Sequence, residues 1–232
     1  MREAPTPPVA RSKGLISTLL SSLGKVCAAL IGSLFFSLIV EWLGIACFWP
    51  EKGAEHSRMM MNTELHWFAE NVTRSLLISD PMRQLDIILA KTWRWVFMDT
   101  GFVPWLERLS HKQTGDWLHW LDIYVKATVY ITLTFVLRVF ILLLTSPLFI
   151  LAALTGIVDG LVRRDIRRFG CGHESGFIYH HAKRTVIPTF FLTWMIYLSL
   201  PFSVNPCVIL LPAAFLLGLT ISITVGAFKR YL

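Results

Sequence analysis

Asp159–Arg184, DGLVRRDIRRFGCGHESGFIYHHAKR, is the one polar interruption in an otherwise apolar second half of this chain. One apolar stretch ends near Val158 and another starts near Thr185. Between them stand six cations, Arg163, Arg164, Arg167, Arg168, Lys183 and Arg184, against Asp159, Asp165 and Glu174, with His173, His180 and His181 beside them. The arginines form two pairs four residues apart, so on a helix they share a face, with Leu161, Val162, Ile166 and Phe169 opposite. A basic amphipathic segment beside a membrane span predicts a helix lying on the inner leaflet, its cations toward anionic head groups. Gly170 and Gly172 end it. The positive-inside rule then puts this loop in the cytoplasm and orients everything else.

Composition supports the membrane reading. Hydrophobic residues make up 54% of the 232 and charged residues 16%, well below the ~25% of soluble domains. The apolar residues come in runs near the ~20 that a bilayer requires. The net charge of +7 is accounted for by cytoplasm-facing segments and does not argue for sequence-specific nucleic-acid binding. The expected fold is all-α and polytopic, with four transmembrane helices and a helical periplasmic segment between the first two. Both termini are cytoplasmic in this scheme, and the membrane is the bacterial inner membrane.

Outward from the loop, the boundaries read as follows. Residues 1–25 form a polar cytoplasmic tail. Residues 26–49 are the first span, read as a span and not as a cleaved signal because the run exceeds a signal's apolar core. Residues 50–126 carry nine cations and ten acids and six of the nine tryptophans, a nearly neutral segment expected on the outside. Within it, Met61, Leu65, Phe68, Val72 and Leu76 make one helical stripe. Asp80-Pro81 reads as a helix start, with Asp as N-cap and Pro at N1, leading through Leu85, Ile88, Leu89, Val96 and Phe97. Further short helices are expected near Trp105–Leu109 and from Asp116. Residues 127–158 form the second span, too long for a ~30 Å core without tilt, kink or projection. Its Thr145-Ser146-Pro147 supplies a kink whose freed carbonyls are taken up by hydroxyls or neighbours. Residues 159–184 are the basic loop. Residues 185–202 and 206–228 form an antiparallel hairpin of spans.

Glu41 and Arg138 are the ionisable residues well inside spans, at matching depth on neighbouring helices. An unpaired charge there is expensive, so an intramembrane Glu41–Arg138 ion pair is expected, with a proton or ion path as the functional alternative. Cys171, His173, His180 and His181 match no common zinc spacing, so no metal is expected. Cys47 and Cys207 both fall near the outer face, although sequence gives no distance on which to argue a bridge. No nucleotide-binding, hydrolase or metalloprotease motif occurs. The chain is expected not to be an enzyme, to need no cofactor and to have no catalytic residues.

The run Gly156-Ile-Val-Asp159-Gly160-Leu-Val-Arg163-Arg164-Asp165-Ile-Arg167-Arg168-Phe169-Gly170, with Glu174-Ser175 and Tyr179-His180-His181-Ala182-Lys183-Arg184 after it, resembles the integrating conjugative element membrane proteins. These are four-span inner-membrane proteins with a domain of unknown function. The resemblance implies an accessory component of conjugative type IV secretion, with the coupling ATPase that brings DNA to the channel as a partner. It brings no catalytic residues. It makes Arg163, Arg164, Arg167, Arg168, His180, His181, Lys183 and Arg184 a contact surface for a protein partner or for anionic lipid. Two other classes stay open, a surface-exclusion protein acting in the recipient and a small transporter using Glu41 and Arg138.

Overall fold

A computed structural model describes residues 15–72, 77–101, 115–170 and 176–228. The first part of the expected tail, Leu76, the Trp105–Leu109 helix, Cys171 to Ser175, Lys229 and Arg230 lie outside the described residues. Those described are all-helical, with no strand among them. The helices are α1 (Leu15–Cys47), α2 (Ala54–Asn71), α3 (Pro81–Thr92), α4 (Gly115–Phe169), α5 (Gly176–Ser199) and α6 (Pro206–Gly226), and α3 runs on into a π-helical turn, Trp93–Met98. Three of them, α1, α4 and α6, contain segments long and apolar enough to cross a membrane. The first turns of helix α5 carry His180, His181, Lys183 and Arg184, which leaves a shorter apolar stretch after them.

Helix α4 organises the rest. Its 55 residues rise ~82 Å at ~1.5 Å each, and each of the other five α-helices packs against it. The second span, expected as 127–158, is therefore the middle of a longer rod. Pro147 removes the bond that the Leu143 carbonyl would accept. The Ser146 hydroxyl donates to that carbonyl at 2.7 Å, and Thr145 Oγ1 donates to Ile141 O at 2.9 Å. The hydroxyls thus act as expected, and the helix continues without a break.

The N-terminal half of α4 takes α1 and α2. Trp42 of α1 donates from its indole to Thr128 Oγ1 at 3.1 Å and packs edge-on against Tyr124. The chain turns back after α1 through Gly53, whose φ of 49° lies where a side chain is strained and whose hydrogen side faces Ile123. Helix α2 then runs lengthwise along α4, with Glu64 at Arg138 and Phe68 against Phe140. Its buried face is Ser57, Met60, Glu64 and Phe68, one position round from the expected stripe of Met61, Leu65, Phe68 and Val72. Helix α3 starts at Pro81 as expected and buries Leu85, but Asp80 makes no side-chain cap bond. In the N-terminal region, helix begins at Leu15, within the expected tail.

The other end of α4 takes the α5–α6 hairpin. Phe149 meets Phe190 and Trp194 of α5, and α6 runs parallel to α4. The hairpin turn is closed by Asn205, whose side chain accepts from Cys207 N at 3.0 Å, with Pro206 at the first helical position. One core of Phe68, Leu85, Phe135, Phe140, Phe149, Tyr197, Leu210 and Leu217 joins both ends.

Candidate functional site

Three constellations stand out, and the sequence pointed to the central cation of the first and to the arginines of the second. The first is centred on Arg138, which is 2% exposed. Its partner is Glu64 of α2: Nε donates to Oε1 at 3.0 Å and to Oε2 at 3.1 Å, and Nη2 donates to Oε1. The remaining donors reach the end of α5 and the turn beyond it, with Nη1 to Leu200 O at 2.7 Å and Nη2 to Phe202 O at 3.1 Å. Longer contacts reach Tyr197 O at 3.3 Å and Leu198 O at 3.5 Å. The last carbonyls of a helix have no partner within it, and a guanidinium supplies five donors in a planar fork. One side chain therefore caps α5 and clamps α2. Burial raises the pKa of Glu64, while the hydrogen bonds and charge of Arg138 pull it down.

The expected Glu41–Arg138 pair does not form. Glu41, 1% exposed, accepts through Oε1 from Ser57 Oγ at 2.6 Å and from His56 Nδ1 at 3.0 Å. The His56 ring stacks on Trp49 at 4.2 Å between centroids. Depth counted along two spans matched the charges correctly as buried, but α2 folds back beside α1 and α4 and brings each its own partner. Glu64 escaped the sequence reading because a hydrophobic stripe was sought, and the acid sits in the middle of the true buried face.

The second constellation is the basic end of α4. Arg163, Arg164, Arg167 and Arg168 occupy the last two turns of α4 itself, so they do not form a separate helix lying on the leaflet. Arg163 Nε pairs with Asp159 Oδ2 at 2.9 Å. Arg167 Nη2 donates to Gly226 O and caps α6, a second helix C-terminus met by a cation. Arg164 and Arg168 stand 3.7 and 4.0 Å from Asp165 Oδ1, too far for hydrogen bonds. Leu161, Val162, Ile166 and Phe169 are exposed beside them. On α5, His180, His181, Lys183 and Arg184 are exposed, and Lys183 lies over the Tyr179 ring at 5.7 Å. Cys47 and Cys207 are free thiols.

The third constellation went unread as a packing motif, although its residues are plain in the sequence. Gly156 and Gly160 of α4 face Gly218, Ser222 and Gly226 of α6, all at spacings of four. A Cβ on Gly156 would land on the Gly218 carbonyl, and one on Gly160 would sit 2.7 Å from Ser222 O and from Val225 Cβ. Small residues at this spacing let two membrane helices approach backbone to backbone. Ser222 Oγ donates to Asp159 Oδ2 across the seam, so Asp159 joins seam and arginines.

Neither a curated protein nor a solved structure matches the chain. A family model does: the one described as IncC plasmid conjugative DNA transfer protein DtrJ-like matches residues 48–229. The chain belongs to the DtrJ-like family. That range takes in α2 to α6, hence the Arg138 clamp, the glycine seam and the arginine end together. Membership places the chain among proteins of conjugative DNA transfer, the broader content of the resemblance read from the loop.

Proposed function

We propose that this DtrJ-like protein is a non-enzymatic, inner-membrane accessory component of a conjugative type IV secretion system of an integrative element, supporting or docking the coupling ATPase. In this reading α1, α4, α5 and α6 all cross the membrane, both termini are cytoplasmic, and α2 and α3 are periplasmic. The observation that carries it is the end of α4. One continuous helix delivers exposed Arg163 and Arg168, with Arg164 partly exposed, beside exposed Leu161, Val162, Ile166 and Phe169. The apolar residues seat this end at the inner leaflet, whose anionic lipid holds it, and the arginines meet an acidic face of the partner. No catalytic residue, cofactor or sequence-specific nucleic-acid contact enters this function.

Arg167 is engaged in capping α6, so the informative variant spares it. Replacing Arg163, Arg164 and Arg168 together with Gln lowers DNA transfer from the donor while the protein still inserts in the membrane. Normal transfer by that variant would remove the docking role. Complementing a deletion separately in donor and recipient tests the wider reading: rescue in the donor supports export. Loss of a block to incoming DNA, restored in the recipient, would instead make it a surface-exclusion protein. The small-transporter alternative needs Glu41 and Arg138 to act in transport, and substrate flux in vesicles tests it; in the structure each is tied into helix packing by its own partners.

A further inference from the structure

Helix α1 is tied to the start of α2 through one buried carboxylate. Glu41 is 1% exposed, and its Oε1 accepts from both Ser57 Oγ and His56 Nδ1. A buried anion is costly unless it is paired and hydrogen-bonded. Arg138, the one buried arginine among the described residues, is committed to Glu64. The group bonded to Glu41 that can become a cation is therefore His56.

The imidazole is placed for that charge. Nδ1 donates to the carboxylate at 3.0 Å, which leaves Nε2 to take up a proton. The side chain is 23% exposed, so water reaches the ring. One face of the ring lies on Trp49, 4.2 Å between centroids and 23° from parallel, and an aromatic face attracts a cation. The indole in turn lies on Gly44 of α1, one turn on from Glu41, where an added Cβ would come within 2.1 Å of it. A neutral imidazole gains the hydrogen bond; an imidazolium gains a charge pair and the indole face as well. The other charged groups around this corner are engaged elsewhere or stand in water. On α2, Glu55 pairs with Arg58 at 3.5 Å, and on α4, Asp122 pairs with Lys126 at 2.6 Å. Glu51 and Lys52 of the turn are exposed, and Tyr124 of α4 packs on Trp42.

We propose that His56 is a proton-operated latch between α1 and α2, loose while the ring is neutral and tight once Nε2 is protonated. Helix α2 runs on from this corner to Glu64, so the latch sets how firmly α2 is held beside the Arg138 clamp. With the orientation proposed above, it reads the pH outside the inner membrane; the latch itself stands without that orientation. A proton that strengthens a contact of the folded chain stabilises at low pH, and the gain is lost as pH rises through the histidine range, roughly 5 to 8.

The test melts the full chain in mild detergent at about pH 5.5 and about pH 8, where the side of the membrane does not enter. Beside it are His56→Gln, Glu41→Gln and the control His66→Gln. His66 makes a comparable pair with Glu70 at 3.2 Å on the same helix, but the two are 70% and 58% exposed, where water screens the pair. Between the two pH values the unaltered chain and His66→Gln lose about 2–4 °C more in melting temperature than His56→Gln and Glu41→Gln. Equal pH dependence in all four overturns the latch, as does a loss of pH dependence in His66→Gln alone. Trp49→Leu keeps both ionisable groups and removes the indole, so it narrows the pH difference. A difference as wide as that of the unaltered chain would show the stack idle and overturn the latch as drawn.

Discussion

The two ends of α4 hold their neighbours by opposite means. In its N-terminal half, Arg138 and Glu64 bury a charge pair that touches three helices; toward its C-terminal end, Gly156, Gly160, Gly218 and Gly226 let backbones meet with almost no side chain. A charge clamp tolerates no loss of one partner, because the other stays buried and unmatched. A glycine seam tolerates no gain, because there is nowhere for an added group to go. The lesson is that deletions and additions should damage opposite ends of this molecule.

Arg138→Gln has the largest expected effect. It leaves Glu64 buried without its cation and uncovers the α5 carbonyls, a loss of ~3–5 kcal/mol, read as collapse of abundance in membranes and of melting temperature in detergent. Arg138→Met combined with Glu64→Gln removes both charges and recovers a large part of it, which separates a need for the pair from a need for its shape. Gly160→Leu comes next, overpacking the seam by ~1–3 kcal/mol and separating α4 from α6. Gly24→Leu, on a face no described residue fills, leaves the fold unchanged; a fold loss as large as that of Gly160→Leu would contradict the contrast. Glu41→Gln keeps an acceptor for Ser57 and costs ~1–2 kcal/mol, less than Arg138→Gln in the same assay. Asp80→Ala is smallest: with no side-chain cap bond to lose, it falls below the ~1 kcal/mol typical of cap removal.

Helices, hairpin and hydroxyl repair at Pro147 were legible because each rests on local chemistry: apolar runs, the short polar gap between two of them, hydroxyls next to a proline. The basic residues were legible too, but not their continuity with the preceding span, since Asp159 and the arginines look like a boundary when hydropathy alone is read. Arg138 and Glu41 were recognisably buried charges. Their partners were not legible, because pairing depended on α2 turning back at Gly53 and running beside α4. The glycine seam was readable in principle from Gly156-x-x-x-Gly160 and Gly218-x-x-x-Ser222-x-x-x-Gly226, but spacing alone does not say which helix the small residues face.

The hydroxyl that Ser146 lends to the Leu143 carbonyl has a mechanical consequence. A proline at the middle of a long helix is a natural hinge, and here the missing bond is replaced within the same turn. The proline site is therefore not left with a bare carbonyl, and the shaft runs unbroken from the arginine end to Ile123, where the returning chain leans on it at Gly53. Ser146→Ala would leave the Leu143 carbonyl unpaired without touching either end.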